Sequence, residues 1–325
     1  MSTRFAPALS LFVLTPLVAE YLLGSLPMSM ITILPIIAAM YGSAALLIRE
    51  LARRTGRGWG TVALLGLAYG LIEEGLVDQS LFNPDYLHLR LLDYGYLPAF
   101  GIALPWSIYV LTIHVVWSIC VPIGLVEALF PARRTQVWLG PIGLALTSLL
   151  FLVGSAMIAA FTYKTAPFMA SPGQLIGAAV AAAAAISAAF AWRRHRPDAG
   201  RQAPAAWLLF VAAFLAGSGV MACRYFGSAL QLAWPLYVAV MLAIEAGFVI
   251  FMIRATGGRR WTDVQRFALV AGGLAVYALF GVFIDRALHG AADLVPHLAI
   301  ILFFVVVTAI AGAQVRSARA AEARE

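Results

Sequence analysis

The sequence predicts an all-α, polytopic integral membrane protein with about ten transmembrane helices and both termini in the cytoplasm. Three observations support this fold class. The chain is 62% hydrophobic and only 11% charged, whereas soluble domains contain about 25% charged residues. It contains ten apolar stretches of roughly the 20 residues that are needed to cross a bilayer core. Basic residues are also concentrated at every second connection, as membrane topology requires.

The ten stretches are residues 6–25, 29–48, 60–82, 102–129, 138–161, 174–192, 205–223, 230–253, 267–286 and 295–315. Positive charge is retained on the cytoplasmic side, and an inside N-terminus places 18 of the 22 Lys and Arg residues there. The other four are Arg90, Lys164, Arg224 and Arg286. We therefore expect a multi-pass protein of the cell membrane, surrounded by lipid. The net charge of +7 reflects this topology, and no nucleic-acid partner is expected.

One transmembrane domain, residues 1–325, is predicted, with halves 1–162 and 163–325 as an alternative division. The motif IEEGLV at 72–77 in the third stretch is echoed by IEAGFV at 244–249 in the eighth. Five-plus-five inverted repeats are typical of secondary transporters, and the two motifs would then occupy equivalent helices.

The ends of the stretches carry further expectations. The Arg49–Glu50 pair closes the second stretch and is interpreted as a solvated helix end. The outer connection after residue 82 contains LHLRLLDYGYL, residues 87–97, which is predicted to form a short helix on the membrane surface. The histidines His88, His195 and His297 are interpreted as interface or loop residues.

The third stretch carries three carboxylates in its outer half, Glu73, Glu74 and Asp78. Each ionisable side chain in a membrane helix costs about 2.5–3.5 kcal/mol, so such residues persist mainly where they form bonds or have a function. By helical rise, Glu74 lies about 12 Å from the outer end of its helix and His114 about 18 Å from the outer end of the next. We therefore expect Glu74 and His114 to approach each other. Asp78 is near enough to the surface to be solvated.

The candidate catalytic residues are Glu73, Glu74 and His114, because a carboxylate and an imidazole at one site suit a general base that activates water, or a proton relay. Residues with a supporting role are Asp78, Tyr69, Trp117, Glu245 and Glu20, of which Tyr69 is positioned to donate to Glu73. No metal is predicted, since a catalytic zinc commonly uses two or more histidines and only His114 lies at depth. No cofactor is identified.

The Glu73–Glu74 pair followed by His114 resembles the CAAX-protease and bacteriocin-processing family of intramembrane proteases, over residues 60–120. The family's motifs are EExxxR, FxxxH and HxxxN or HxxxD. Asp78 stands at the arginine position and Val110 at the phenylalanine position, while the one HxxxD runs from His289 to Asp293. The resemblance implies that Glu and His activate water for the cleavage of a peptide bond.

Three functions remain open. An intramembrane hydrolase would act on a membrane-embedded peptide or a small-molecule substrate. A secondary transporter or proton-coupled permease would use Glu73, Glu74 and Glu245 as proton or cation sites. In a non-catalytic membrane partner protein, the same side chains would form a polar knot whose interhelical hydrogen bonds contribute about 0.6 kcal/mol each.

Overall fold

The computed structural model describes residues 5–192, 203–227, 233–256 and 261–322. Within these ranges it contains ten apolar helices, which we number in chain order: α1 Ala6–Leu22, α2 Met28–Arg54, α3 Trp59–Val77, α4 Leu104–Leu129, α5 Pro141–Thr165, α6 Pro172–Ala191, α7 Ala206–Phe226, α8 Trp234–Thr256, α9 Asp263–His289 and α10 Leu294–Glu322. Nine of them are long and apolar enough to cross a membrane, and α1 is shorter. The predicted all-α membrane fold is confirmed.

Two helices begin with capping boxes. The side chain of Ser171 accepts from the backbone of Gln174 at the start of α6, and Thr262 does the same with Gln265 at the start of α9. Each glutamine side chain in turn accepts a hydrogen bond from the backbone N–H of its capping residue. Two N–H groups at the start of each helix therefore have partners. These polar side chains define where the apolar segments begin.

The helices are arranged as a buried group and a peripheral group. Of the most apolar 18 residues of each helix, 61% are buried in α2 and in α4, compared with 11% in α5. The central helix is α4, which contacts α1, α3, α8, α9 and α10. Helix α3 packs between α4 and α6. The exposed leucines, isoleucines and phenylalanines of the peripheral helices suit contact with lipid, and the polar residues of α1–α4 are consequently placed in the interior.

The inner ends of α2 and α4 are joined by a buried ionic network. The Arg49 guanidinium donates to Glu127 at 3.1 Å and to Glu50 at 3.1 Å, and Arg53 also donates to Glu127. Arg49 and Glu50 have no exposed surface. The interpretation of Arg49–Glu50 as a solvated end is therefore wrong, because Glu127 and the connection that follows α4 cover the pair.

The predicted surface helix over residues 87–97 is also wrong. The described chain there contains one 3₁₀ turn, Tyr86–His88, and then two short strands, β1 Tyr96–Leu97 and β2 Ile102–Ala103, which pair antiparallel. Left-handed φ angles at Leu87, His88 and Arg90 break any helix, because this region is strained for residues with a Cβ.

The three histidines predicted to lie at interfaces or in loops have different positions. The His88 side chain is exposed, as expected. His297 lies in the first turn of α10 and is only 1% exposed, so it is a buried helical residue and does not lie in a loop. His195 falls outside the described residues.

Candidate functional site

The first four helices each contain a π-helical segment. These are Leu17–Leu22 in α1, Ala38–Gly42 in α2, Glu73–Val77 in α3 and His114–Cys120 in α4. Such segments are rare and occur frequently at functional sites. They carry Glu20, Tyr41, the Glu73–Glu74 pair and His114, so the widened turns coincide with the polar residues of the membrane interior.

In α4 a proline provides a physical cause for the widened turn. Pro122 lies two residues after the π-helical segment and has no N–H to continue the hydrogen-bond ladder, which disrupts the helix in the preceding turn. In α3 the widened turn lies at the helix end and no proline is present. We have no local sequence explanation for that segment.

The centre of the site is a direct contact between His114 and the glutamate pair. His114 Nε2 lies 2.6 Å from Glu74 Oε1, and Nδ1 lies 3.2 Å from Glu73 Oε2. All three side chains are buried. The approach of Glu74 to His114 expected from helical depth is observed, and the imidazole lies between the two carboxyl groups.

A chain of hydrogen bonds leads from Glu74 toward the outer end of the bundle. The Trp106 indole donates to the Ser80 hydroxyl at 3.2 Å, and Ser80 donates to Glu74 Oε2 in a short contact. Both oxygens of Glu74 are therefore occupied, one by His114 and one by Ser80. Ser80 and Trp106 were not identified from the sequence, because neither has a fixed spacing to the glutamates that would signal the contact.

Glu73 is less well satisfied than Glu74. Its Oε2 makes no hydrogen bond, and the hydroxyl of Tyr69 also has no partner. Tyr69 lies beside Glu73 as predicted, with its hydroxyl within reach of a side-chain hydrogen bond to that carboxyl. The Tyr69 and Tyr41 rings pack around His114, with centroids 5.7 Å and 6.0 Å from the imidazole. These aromatic rings surround the imidazole with low-dielectric material.

Three further contacts hold His114 Nδ1 and the next carboxylate, Asp78. Ser118 Oγ lies 3.1 Å from His114 Nδ1. Asp78 accepts from the Ser80 backbone at 3.1 Å and from the Tyr86 hydroxyl at 2.8 Å. Burial raises the pKa of Tyr86 well above its usual range, so Tyr86 remains a donor. Asp78 is 7% exposed, and the prediction that it is solvated is therefore wrong.

Three of the predicted supporting residues have other partners. Trp117 stacks on Tyr277 of α9, with centroids 4.5 Å apart, and thus packs helices together. Glu20 accepts from Ser25 at 2.6 Å, and Glu245 of α8 accepts from Thr112 of α4 at 2.7 Å. The described side chains therefore bring Glu73, Glu74 and His114 into one cluster, with Glu245 bonded separately.

The cluster also has the donor set of a metal site. One ligand atom from each of Glu73, Glu74 and His114 lies within 4.8 Å of the others, and three protein ligands are the usual number at a catalytic zinc. The 2.6 Å contact between His114 and Glu74, however, satisfies both groups directly. Glu73 Oε2, by contrast, has no hydrogen-bond partner.

The comparisons with known proteins identify a family but no activity. A family model described as an uncharacterized membrane protein family matches residues 9–297, which is most of the chain. No curated protein and no solved structure matches the sequence or the fold.

Proposed function

Given that the chain belongs to an uncharacterized membrane protein family, we propose that it is an intramembrane hydrolase in which Glu73 activates a water molecule. The observation that carries this proposal is the buried Glu73 oxygen that has no hydrogen-bond partner and lies 3.2 Å from His114 Nδ1. A buried acceptor normally finds a partner. A water molecule at this position would supply one, and it would be polarised by both groups.

The different contacts of the two glutamates support different roles in this proposal. Glu74 uses one oxygen for His114 and the other for Ser80, so it is the residue that positions the imidazole. Glu73 retains a free acceptor atom and is the general base. General bases of this kind contribute about 10²–10⁴-fold to the rate.

The reaction that fits these roles is hydrolysis of an amide or ester. Glu73 takes a proton from water while the water oxygen forms a bond to the substrate carbonyl carbon. The bond to the leaving amine or alcohol then breaks, and that group receives the proton from Glu73. His114, whose Nε2 is held by Glu74, keeps its Nδ1 beside the Glu73 carboxyl and so positions the general base. The resemblance of the Glu73–Glu74 pair and His114 to the CAAX-protease and bacteriocin-processing family supports the same chemistry on a membrane-embedded peptide.

Proton-coupled transport is the second candidate, and one observation favours it. Glu245 is a half-buried carboxylate within α8 that bonds to α4, the helix of His114. An imidazole between two carboxyl groups also shares protons readily. In a transporter, Glu245 and the cluster would both be needed for proton movement.

Isotope labelling tests hydrolysis without knowledge of the substrate. Membranes that contain the wild-type protein or the Glu73→Gln variant are incubated in H₂¹⁸O, and new peptide and lipid carboxyl groups are identified by mass spectrometry. We expect ¹⁸O-labelled products with the wild type, reduced about 100-fold or more in the variant. Glu245→Gln is the matched control and should retain them.

Equal labelling in wild-type and Glu73→Gln membranes would refute the hydrolase. The purified protein is then examined in proteoliposomes with a pH-sensitive dye inside. If both Glu73→Gln and Glu245→Gln abolish proton uptake, transport replaces hydrolysis as the assignment.

A further inference from the structure

Arg224 is a half-buried cation that the proposed hydrolysis does not use. It lies in the last turn of α7, at the predicted outer end of that helix. Among the described residues its guanidinium makes no hydrogen bond and no ion pair, and its Nε is buried without an acceptor. A buried donor normally has a partner, and an unpaired charge is costly to bury. The Arg224 head group is therefore available to an acceptor on another molecule.

Three aromatic rings hold the Arg224 head group in place. Its central carbon lies 5.6 Å from the ring centroids of Trp106 and Tyr109 in α4, and 5.5 Å from that of Tyr225 in α7. Aromatic faces attract a guanidinium, but they carry no charge that would neutralise it. A long side chain that is already held in place loses less conformational freedom when it binds a ligand. The rings thus prepare Arg224 for binding without satisfying its charge.

The described chain provides no carboxylate that neutralises Arg224. At the inner end of the bundle, by contrast, the partly buried Arg53 pairs with Glu127. Glu245 of the adjacent α8 is bonded to a threonine of α4. The next segment of the chain, SALQL at residues 228–232, contains no Asp or Glu. We therefore expect the negative charge that complements Arg224 to come from another molecule.

Trp106 connects Arg224 to the cluster of glutamates and histidine in α3 and α4. The guanidinium lies over the indole ring, and the indole N–H donates to Ser80 at 3.2 Å. Ser80 in turn donates to Glu74. Two side chains therefore separate Arg224 from Glu74, and both lie on the predicted outer side of the cluster. A ligand held by Arg224 would lie beside the approach to the cluster from that side.

From these observations we propose that Arg224 binds an oxyanion group, a carboxylate or a phosphate, on the substrate of the Glu73–His114 cluster. A planar guanidinium donates two parallel N–H bonds to either group, and lysine does not reproduce this geometry. The substrate class is then an anionic amphiphile, with its charged group at the outer surface and its amide or ester bond within the membrane. The role of the bound molecule as substrate rests on the proposed hydrolysis, whereas the binding of an oxyanion is measured without it.

The binding test uses the full-length protein in dodecyl maltoside, a neutral detergent. Saturable binding of radiolabelled decanoate and decyl phosphate is measured by scintillation proximity, with unlabelled decanol as a neutral competitor. We expect the wild type to bind at least one of the two oxyanions, and decanol not to displace it. Arg224→Gln should weaken this binding about tenfold to a hundredfold, because it removes hydrogen bonds from a charged donor. Arg224→Lys keeps the charge without the planar donors and should show a smaller loss.

Arg286→Gln is the matched control. Arg286 also lies in the last turn of a helix at the predicted outer end, but it is exposed, and this variant should bind as the wild type does. Absence of saturable binding, wild-type affinity in Arg224→Gln, or an equal loss in Arg286→Gln would each refute the site. If Arg224→Gln does not fold, Arg224→Lys decides, and unchanged affinity in that variant contradicts the proposal.

The two probes distinguish the sources of the oxyanion. Tighter binding of decanoate indicates a peptide carboxylate, and tighter binding of decyl phosphate indicates a phospholipid head group. Either result supports an oxyanion site at Arg224.

Glu73→Gln separates this inference from the proposed hydrolysis. No described contact joins Glu73 to Arg224, so this variant should bind the preferred probe with wild-type affinity. Oxyanion binding together with equal ¹⁸O labelling in wild type and Glu73→Gln would refute the hydrolase and leave the Arg224 site intact. Labelling that depends on Glu73, without oxyanion binding, would refute the Arg224 site alone.

Discussion

The Arg49 guanidinium lies over the indole ring of Trp138, with its central carbon 3.2 Å from the ring centroid. Trp138 follows α4 in the inner connection, and its backbone N–H donates to Glu50 at 2.7 Å. A planar cation on an aromatic face is a favourable contact that lysine reproduces poorly. The inner end of the bundle is therefore closed by a specific arrangement of Arg49, Glu50, Glu127 and Trp138.

Replacing Arg49 should destabilise the fold strongly. Arg49→Met leaves the buried Glu50 and Glu127 without one of their cations, and breaking a buried pair in this way costs about 3–5 kcal/mol. Unfolding in a denaturing detergent titration measures this loss. Arg90→Met is the control, because the Arg90–Asp93 pair is exposed and its removal should leave the midpoint unchanged. A wild-type midpoint for Arg49→Met would contradict the buried network.

Tyr69 provides a test of the site that separates packing from chemistry. Its ring packs edge-on against His114, while its hydroxyl has no partner. Tyr69→Phe keeps the ring and removes a buried unsatisfied group, so stability should be unchanged or higher by about 1 kcal/mol. If the hydroxyl assists the water beside Glu73, ¹⁸O incorporation falls. Unchanged incorporation would restrict Tyr69 to a packing role.

Gly70 sets the spacing between α3 and α4 at the site. A Cβ at Gly70 would lie 3.0 Å from the Cβ of His114. Gly70→Ala should therefore displace His114 from Glu74 by a few tenths of an ångström and lower ¹⁸O incorporation about tenfold or more. Gly247→Ala is the control, because a Cβ there meets nothing within 4 Å. Equal activity of the two variants would show that this close approach is unimportant.

A pair of glycines with positive φ separates backbone strain from steric overlap. Gly56 has φ of +65° and open space around it, whereas Gly24 has φ of +75° and lies against Asp285. Gly56→Ala should cost about 1 kcal/mol for the left-handed backbone alone. Gly24→Ala should cost about 1–3 kcal/mol more, because it also forces atoms apart. The difference between the unfolding midpoints of the two variants measures that overlap.

Several features of the structure follow from the sequence because they depend on composition and length. Ten helical segments are visible as apolar stretches, and their order makes α3 and α4 antiparallel neighbours. Glu74 and His114 could thus be expected to meet from helical rise alone. The catalytic roles of Glu73, Glu74 and His114 stay predictions, as do the five-plus-five repeat and the position of both termini.

Other features could not be predicted because they depend on contacts between distant segments. Arg49 and Glu50 are charged residues at a helix end, and only the arrival of Glu127 from α4 explains their burial. Asp78 is buried by Tyr86, which lies in the following connection. His297 is placed against Asp285 by the pairing of α9 with α10. In each case the local sequence is compatible with solvent exposure, and the partner is supplied by the tertiary fold.

The four π-helical segments change which side chains of α1–α4 share one face of the helix. A π turn contains about one residue more than an α turn, so the part of the helix beyond it is rotated by about 100° relative to an uninterrupted helix. In α4, side chains before His114 and after Cys120 therefore follow two different angular phases. A lipid-facing stripe calculated with a single helical period along α4 would place residues after Cys120 on the wrong side. Substitutions intended to probe lipid contact should be chosen separately for the two segments.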